Sequence, residues 1–165
     1  MAKFDIAYGK TLTHEGGYVP ARVAASIKDP GGETYMGIAR NYHPNWPGWK
    51  LIDAYNNKNG IAKHNFFFPI PELKPLHKAH IKKNFWDVNK LSDFKNQSVA
   101  NYLFDIGYGS GPGIAAMSIQ DVLGLRQDGV IGPVTIAKAN STNQKHLFEK
   151  LKEYREDWLR ENVGG

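Results

Sequence analysis

Apolar side chains recur at helical spacing near the start of the chain. The apolar positions of the first segment follow one another at steps of four: Phe4, Tyr8 and Leu12. Glu15 comes three residues later, and such steps place side chains on one face of an α-helix. The pair Gly16-Gly17 then favours a helix end, because glycine adopts the left-handed conformation without steric cost. The pattern predicts a first helix that ends near Glu15, with this carboxylate on its apolar face.

The next segment has the composition of an exposed loop or a short hairpin. Its centre is Asp29-Pro30-Gly31-Gly32, in which proline fixes one backbone dihedral and glycine permits the next. Further on, Tyr42–Trp49 is an aromatic loop interrupted by prolines. Its residues Trp46 and Trp49 could either stack on the apolar faces of sugars in a cleft or bury their large area in the core.

Five further helices are predicted. They cover Pro75–Trp86, Asn96–Gly107, Pro112–Leu123, Pro133–Ala139 and a final segment with Leu147, Leu151, Tyr154 and Trp158 on one face. The helix after Asn96 is apolar nearly all round, so Asp105 within it is a candidate buried carboxylate, either a structural anchor or part of a site. The spacing of Ser141 and Gln144 predicts a capping box for the last helix. The predicted fold class is mainly α, with a small loop or hairpin region after the first helix.

Composition narrows the class of protein. A chain of 165 residues suits one domain, and its net charge of +5 favours polyanionic partners such as nucleic acid, a membrane surface or a cell wall. Cysteine is absent, which excludes disulfides and thiolate chemistry. No apolar run is long enough to cross a bilayer, and the N-terminus lacks an apolar signal segment. We therefore expect synthesis in the cytoplasm as a soluble protein.

Glu15 has the placement of a general acid. In the last turn of a helix, the unsatisfied carbonyls carry a partial negative charge, and this field and partial burial would both raise the pKa of its carboxyl. A carboxylic acid that holds its proton near neutral pH can protonate a departing glycosidic oxygen. The alternative is an ordinary surface glutamate at a helix end.

A second carboxylate is usually needed for glycoside hydrolysis. Asp29 and Glu33 follow in a loop that could fold back toward Glu15, and Thr34 beside them could orient a water molecule. The alternative for Asp29 is a turn-forming residue that hydrogen-bonds its own backbone.

Two other kinds of site are not favoured. His77 and His80 could hold a metal, but no Asp, Glu or Cys joins them at helical spacing. The segments Ile114–Leu123 and Pro133–Ala139 could mimic a helix-turn-helix, yet the turn is too long and the second segment carries one basic residue. We expect no cofactor, no metal and no nucleic-acid partner.

Motifs spread over most of the chain resemble glycoside hydrolase family 108, the phage-type N-acetylmuramidases, which include proteins labelled secretion activators. The N-terminal ones are His14-Glu15-Gly16-Gly17-Tyr18, Asp29-Pro30-Gly31-Gly32-Glu33-Thr34 and Gly37-Ile38, and Phe85-Trp86-Asp87 resembles an aromatic element of the family. The C-terminal ones resemble its predicted peptidoglycan-binding region: Leu103-Phe104-Asp105, Ser110–Gly113, Ile119-Gln120, Leu123-Gly124 and Asp128–Thr135. Their combined order is more specific than any single motif.

The resemblance implies a lysozyme-like helical fold and hydrolysis of the β-1,4 bond between N-acetylmuramic acid and N-acetylglucosamine in peptidoglycan. Glu15 corresponds to the family's catalytic acid. Asp29 is then the best second carboxylate, with Glu33 as the alternative, and Thr34 helps to position water or that carboxylate. The residues expected to bind substrate are Glu33, Tyr35, Trp49, Asp105 and Tyr108.

The resemblance also implies a division of labour along the chain. Residues 1–95 would form the catalytic part and residues 96–165 a helical peptidoglycan-binding part, packed together as one compact unit. Without a signal segment, the protein would reach the periplasm or cell wall through a holin-like membrane pore. The alternative from a different functional class is a cell-wall-binding or secretion-accessory protein that has lost catalysis.

Overall fold

The structure is a computed structural model that describes residues 1–12 and 16–163. Its α-helices in these ranges are α1 (Phe4–Leu12), α2 (Ala21–Ser26), α3 (Gly48–Asn59), α4 (Leu73–Ile81), α5 (Gln97–Ser110), α6 (Pro112–Val122), α7 (Pro133–Ser141) and α8 (Gln144–Asn162). A π-helical turn, Lys82–Trp86, and two 3₁₀ turns, Asp87–Asn89 and Leu91–Asp93, precede α5. The strands are β1 (Tyr18–Val19), β2 (Thr34–Tyr35) and β3 (Ile38–Ala39). The predicted mainly α fold with a small hairpin region is confirmed.

The described residues form two compact units. The first takes Met1–Lys10 and the chain from Lys82 onward, and the second is Thr11–Ile81. The division of function between residues 1–95 and 96–165 stays a prediction.

The core of the first unit is built on α5. Three rings, those of Phe4, Trp86 and Phe104, meet in near edge-to-face contacts with centroids 5.6 to 5.9 Å apart. Such contacts bury large apolar areas and orient the rings favourably. The expectation that Asp105 is buried is wrong, because α5 keeps a solvent-facing side and Asp105 is exposed on it.

Helix ends in this unit follow capping rules. Asn96 begins α5, and its side chain accepts a hydrogen bond of 3.0 Å from the Val99 N–H. Pro112 takes the first position of α6, as predicted. The predicted capping box before α8 is wrong: Ser141 ends α7, and Asn143 caps α8 by accepting from the His146 N–H at 3.0 Å.

The second unit contains an antiparallel sheet of order β1-β2-β3, in which Tyr18 pairs with Tyr35. A two-residue turn joins β2 to β3, and both of its residues have positive φ, Met36 at 47° and Gly37 at 86°. This geometry matches the right-handed twist of the strands it connects. The buried ring of His77 on α4 bonds to the turn, with Nε2 donating to the Met36 carbonyl at 2.8 Å.

Aromatic residues fill the core of the second unit. The ring of Phe68 lies at its centre, 5.0 to 5.3 Å from the ring centroids of Tyr18, Tyr35, Tyr55 and Phe66. Trp46 and Trp49 are also buried, with perpendicular rings 5.3 Å apart. Of the two alternatives for these tryptophans, the structure therefore shows burial in the core.

Gly17 is required by a close backbone approach. The Tyr18 N–H donates to the Phe66 carbonyl at 2.9 Å, and the Asn65 N–H donates to the Tyr18 carbonyl at 2.7 Å. A Cβ atom at Gly17 would lie 2.6 Å from the Phe66 oxygen and 2.7 Å from the Asn65 oxygen. Only glycine fits without displacing one of the two backbone segments.

We expect Gly17→Ala to lower the free energy of unfolding by roughly 1 to 3 kcal/mol, because the added methyl group forces these segments apart. Gly113→Ala is the matched control, since no atom lies within 4 Å of its Cβ position and it stands in α6. The control should be unchanged or slightly more stable. Urea unfolding measures both, and equal stability of the two variants would contradict the packing described here.

The buried His77 predicts a pH dependence of stability. Burial lowers the pKa of His77 below its ordinary value of 6.5. Below about pH 6.5 the unfolded chain therefore binds more protons at this site than the folded protein does. The free energy of unfolding consequently decreases as the pH is lowered. His77→Gln keeps a donor for the Met36 carbonyl but does not titrate. We expect the wild type to lose more stability than this variant between about pH 7.5 and about pH 5. Equal losses in urea unfolding would show that His77 carries none of the effect.

Candidate functional site

The predicted catalytic acid stands in the sequence between α1 and β1. Glu15 and its neighbour His14 lie outside the described residues, so the role predicted for Glu15 stays a prediction. In the sequence, Glu15 stands three residues before Tyr18, the first residue of β1.

An ion-pair network surrounds the side chain of Tyr18. Its hydroxyl donates to Oε2 of Glu33, and Arg40 donates from Nη1 to the other oxygen, Oε1, at 2.8 Å. Arg40 also binds Asp53 on α3 with two bonds, Nη1 to Oδ1 at 2.8 Å and Nη2 to Oδ2 at 2.7 Å. These four residues, together with Asn56, whose side chain donates to the Tyr18 hydroxyl, are called the Arg40 network.

Helix α3 supports this network from one face. The guanidinium of Arg40 lies over the buried ring of Trp49, 5.2 Å from its centroid, a cation–π contact. The Asn56 side chain donates to the Tyr18 hydroxyl at 3.3 Å and accepts from the Ala62 N–H at 3.1 Å. Both ends of the Asn56 amide are therefore used inside the protein.

The ionisation of the network follows from these bonds. The hydrogen bonds from Arg40 lower the pKa of Asp53 below its ordinary value, and the bonds to Asp53 raise the pKa of the Arg40 guanidinium. Burial, and then the neighbouring Glu33, raise the pKa of the Tyr18 hydroxyl. At neutral pH, Asp53 and Arg40 are charged and Tyr18 is a protonated donor.

A cavity of about 420 Å³ lies against the network. Four network residues line it, Tyr18, Glu33, Asp53 and Asn56, and the start of α2 lines it as well. This volume falls within the usual range of small-molecule sites, roughly 300 to 1,000 Å³. We call this cavity the α2–α3 cleft.

The other predicted catalytic residues lie in the loop before β2 and at its start. Asp29 is exposed, and its Oδ1 accepts from the Gly31 N–H at 2.9 Å, which is the turn-forming bond weighed as the alternative. The Thr34 hydroxyl donates to the Gly32 carbonyl at 2.9 Å. The structure brings Glu33 into the cleft, whereas the cleft lining includes neither Asp29 nor Thr34. Their catalytic roles stay predictions.

The predicted substrate-binding residues are scattered. Tyr35 is buried, and its hydroxyl accepts from the Phe68 N–H at 3.3 Å. The indole N–H of buried Trp49 donates to the His43 carbonyl at 3.0 Å. In the first unit, Asp105 is exposed and the ring of Tyr108 packs against other rings of that unit. Their binding roles stay predictions, and only Glu33 of this group lines the cleft.

Sequence reasoning missed Arg40, Asp53 and Asn56. One signal was present: Trp49, Asp53 and Asn56 follow at steps of four and three, so a helix places them on one face. No spacing rule indicates that Arg40 pairs with Asp53, because the two belong to different elements.

The described ranges contain neither a metal-binding cluster nor a membrane-spanning helix. Among residues 1–12 and 16–163, no group of three His, Asp or Glu side chains could hold a metal ion. Within the same residues, no helix combines the length and apolarity needed to span a membrane.

Comparison with known proteins identifies the family. No curated protein matches the chain. Twelve solved chains are similar in structure, and one of them is SagA of Brucella abortus, with 26% sequence identity and a TM-score of 0.65 over 95% of this chain and 79% of that one. The family model described as Glycosyl hydrolase 108 matches residues 8–111, more than half of the sequence. The predicted resemblance and the lysozyme-like fold class are thereby confirmed, and the chain belongs to the glycosyl hydrolase 108 family.

Proposed function

We propose that the protein is a peptidoglycan hydrolase of the N-acetylmuramidase type that acts at the cell wall after release through a holin-like pore. The observation that carries the catalytic proposal is the position of the α2–α3 cleft, whose lining begins at Tyr18. Glu15 stands three residues earlier in the sequence, and three residues span about 10 Å at most. This short connection to Tyr18 supports the proposal that Glu15 acts at the cleft.

In the proposed reaction, Glu15 donates its proton to the oxygen that links N-acetylmuramic acid to N-acetylglucosamine. The bond from that oxygen to C1 of the muramic acid breaks, and the leaving sugar departs with a new hydroxyl group. The oxygen of a water molecule bonds to C1, and the proton that this water loses restores the carboxyl groups to their starting state.

The hydrogen bonds of the described loop support Asp29 as the second carboxylate. Both oxygens of Glu33 already accept hydrogen bonds inside the protein, one from Tyr18 and one from Arg40, so neither is left without a partner to engage water or substrate. Asp29 uses Oδ1 in its turn, while its Oδ2 makes no hydrogen bond to a described residue. In this proposal Glu33 shapes the cleft, and Thr34 accepts from the attacking water through its remaining lone pairs.

The acid is tested with Glu15→Gln on purified peptidoglycan. We expect the rate of clearing to fall by about 10²-fold or more, because the amide cannot donate the proton. Glu72→Gln is the matched control, since Glu72 is exposed and its side chain has no partner among the described residues. Reducing-end analysis of the wild-type digest should show N-acetylmuramic acid.

Two results would overturn this assignment. Clearing by Glu15→Gln at the wild-type rate would show that Glu15 is not the acid. A wild-type protein that binds peptidoglycan without releasing reducing ends would be the non-catalytic wall-binding or secretion-accessory protein instead.

The second carboxylate is tested by comparing Asp29→Asn with Glu33→Gln. Asparagine at position 29 keeps the turn-forming acceptor, so we expect a stability change within about 0.5 kcal/mol and a rate about 10²-fold lower. Glu33→Gln should instead lower the melting temperature, because Arg40 loses a charged partner. Full activity of Asp29→Asn would exclude Asp29. The rate of Glu33→Gln, measured below its melting transition, would then decide whether Glu33 takes that role.

A further inference from the structure

The charges that line the α2–α3 cleft are unequally compensated. Its two carboxylates, Glu33 and Asp53, share the guanidinium of Arg40. Arg22 of α2 also lines the cleft, and it is exposed. No hydrogen bond or ion pair joins Arg22 to any residue that the structure describes. The cleft therefore offers a positive charge whose partner is not supplied by the described protein.

The rest of the lining is amphipathic. Pro20, Ala21 and the largely exposed Ile61 provide apolar surface. Asn57 is exposed, and its amide makes no hydrogen bond to a described residue. Apolar surface beside an available amide suits an acetamido group, which combines a methyl group with one donor and one acceptor.

Asp53 adds an acceptor of fixed orientation. Two bonds from Arg40 hold the plane of its carboxylate, yet its side chain is 44% exposed. The lone pairs that Arg40 does not use can accept hydrogen bonds from sugar hydroxyl groups. Because Arg40 already compensates this charge, Asp53 can accept such bonds without repelling an anionic ligand strongly.

From these contacts, and resting on the function proposed above, we propose that the α2–α3 cleft binds an N-acetylated saccharide that carries a carboxylate, and that Arg22 pairs with that carboxylate. A guanidinium group binds a carboxylate with two parallel hydrogen bonds, which gives direction as well as strength. In peptidoglycan the carboxylate comes either from the lactyl group of N-acetylmuramic acid or from the stem peptide. Chitin oligosaccharides have the same acetamido groups without it. Arg22 is thus a specificity-determining residue.

The test measures binding by calorimetry in full-length Glu15→Gln protein, in which turnover is suppressed. Three probes are compared: neutral chitotetraose, a peptide-free tetrasaccharide of alternating N-acetylglucosamine and N-acetylmuramic acid, and the same glycan with stem peptides. We expect Arg22→Gln to weaken binding of a carboxylated probe about 3- to 10-fold, the range of one exposed charge-assisted contact. Binding of chitotetraose should not change. Raising the salt concentration to about 0.3 M should reduce the preference for the carboxylated probe.

Lys74→Gln is the matched control, because Lys74 is also an exposed cation, its side chain makes no hydrogen bond or ion pair to a described residue, and it does not line the cleft. It should bind all three probes as the parent protein does. If Arg22→Gln weakens binding of the peptide-free probe alone, the contact is assigned to the lactyl carboxylate. If the variant weakens binding of the peptide-bearing probe alone, the contact is assigned to the stem peptide. Either outcome supports the proposal.

Three results would overturn the proposal. In the first, Arg22→Gln weakens the binding of all three probes equally, and in the second it weakens the binding of none. In the third, the parent protein binds neutral and carboxylated probes with equal affinity. These outcomes are separate from those of the hydrolysis test. Binding is measured without turnover, so an inert wild-type protein would remove the muramidase function and leave the preference for a carboxylate to be judged by itself.

Discussion

The α2–α3 cleft depends on one side chain shared between two carboxylates. Arg40 joins Glu33, just before β2, to Asp53 on α3, and it rests on the buried ring of Trp49. Without the guanidinium, the two like charges would lie in the same partly buried site with no cation between them, and their repulsion would favour separation. The shape of the cleft and the charge of its lining therefore have a common origin.

The helices that the sequence predicts are those whose signals are local. Asn96 before α5 and Pro112 at the start of α6 are capping features, and the apolar periodicity of both helices agrees with them. The sequence pattern predicts no helix over α3, whose second half contains Asn56, Asn57 and Asn59, and asparagine is a poor helix former. Helix α3 forms because Trp49 and Ile52 are buried against the rest of the second unit, and this tertiary packing outweighs propensity.

Some residues of the candidate site can be recognised from local sequence motifs, and others only from the folded structure. Glu15, Asp29 and Glu33 belong to short motifs and are visible in the sequence. The bond between Arg40 and Asp53 joins a strand end to a helix, so its pairing depends on the folded sheet. Gly17 shows the limit of local reasoning most clearly. As a helix-stop signal it needs only its neighbours, but the structure adds a reason in the distant backbone of Asn65–Phe66, which leaves no room for a side chain.

In the proposed function, the net positive charge of the protein and the single charge of Arg22 act on an anionic wall over different distances. The net charge of +5 attracts polyanions from any direction, but salt screens it over about 8 to 10 Å. Arg22 would act only in contact, and only because Arg40 compensates the carboxylates that share its cleft. An uncompensated Glu33 and Asp53 would repel the same carboxylate that Arg22 attracts. The selectivity proposed for Arg22 is thus a consequence of how Arg40 is placed.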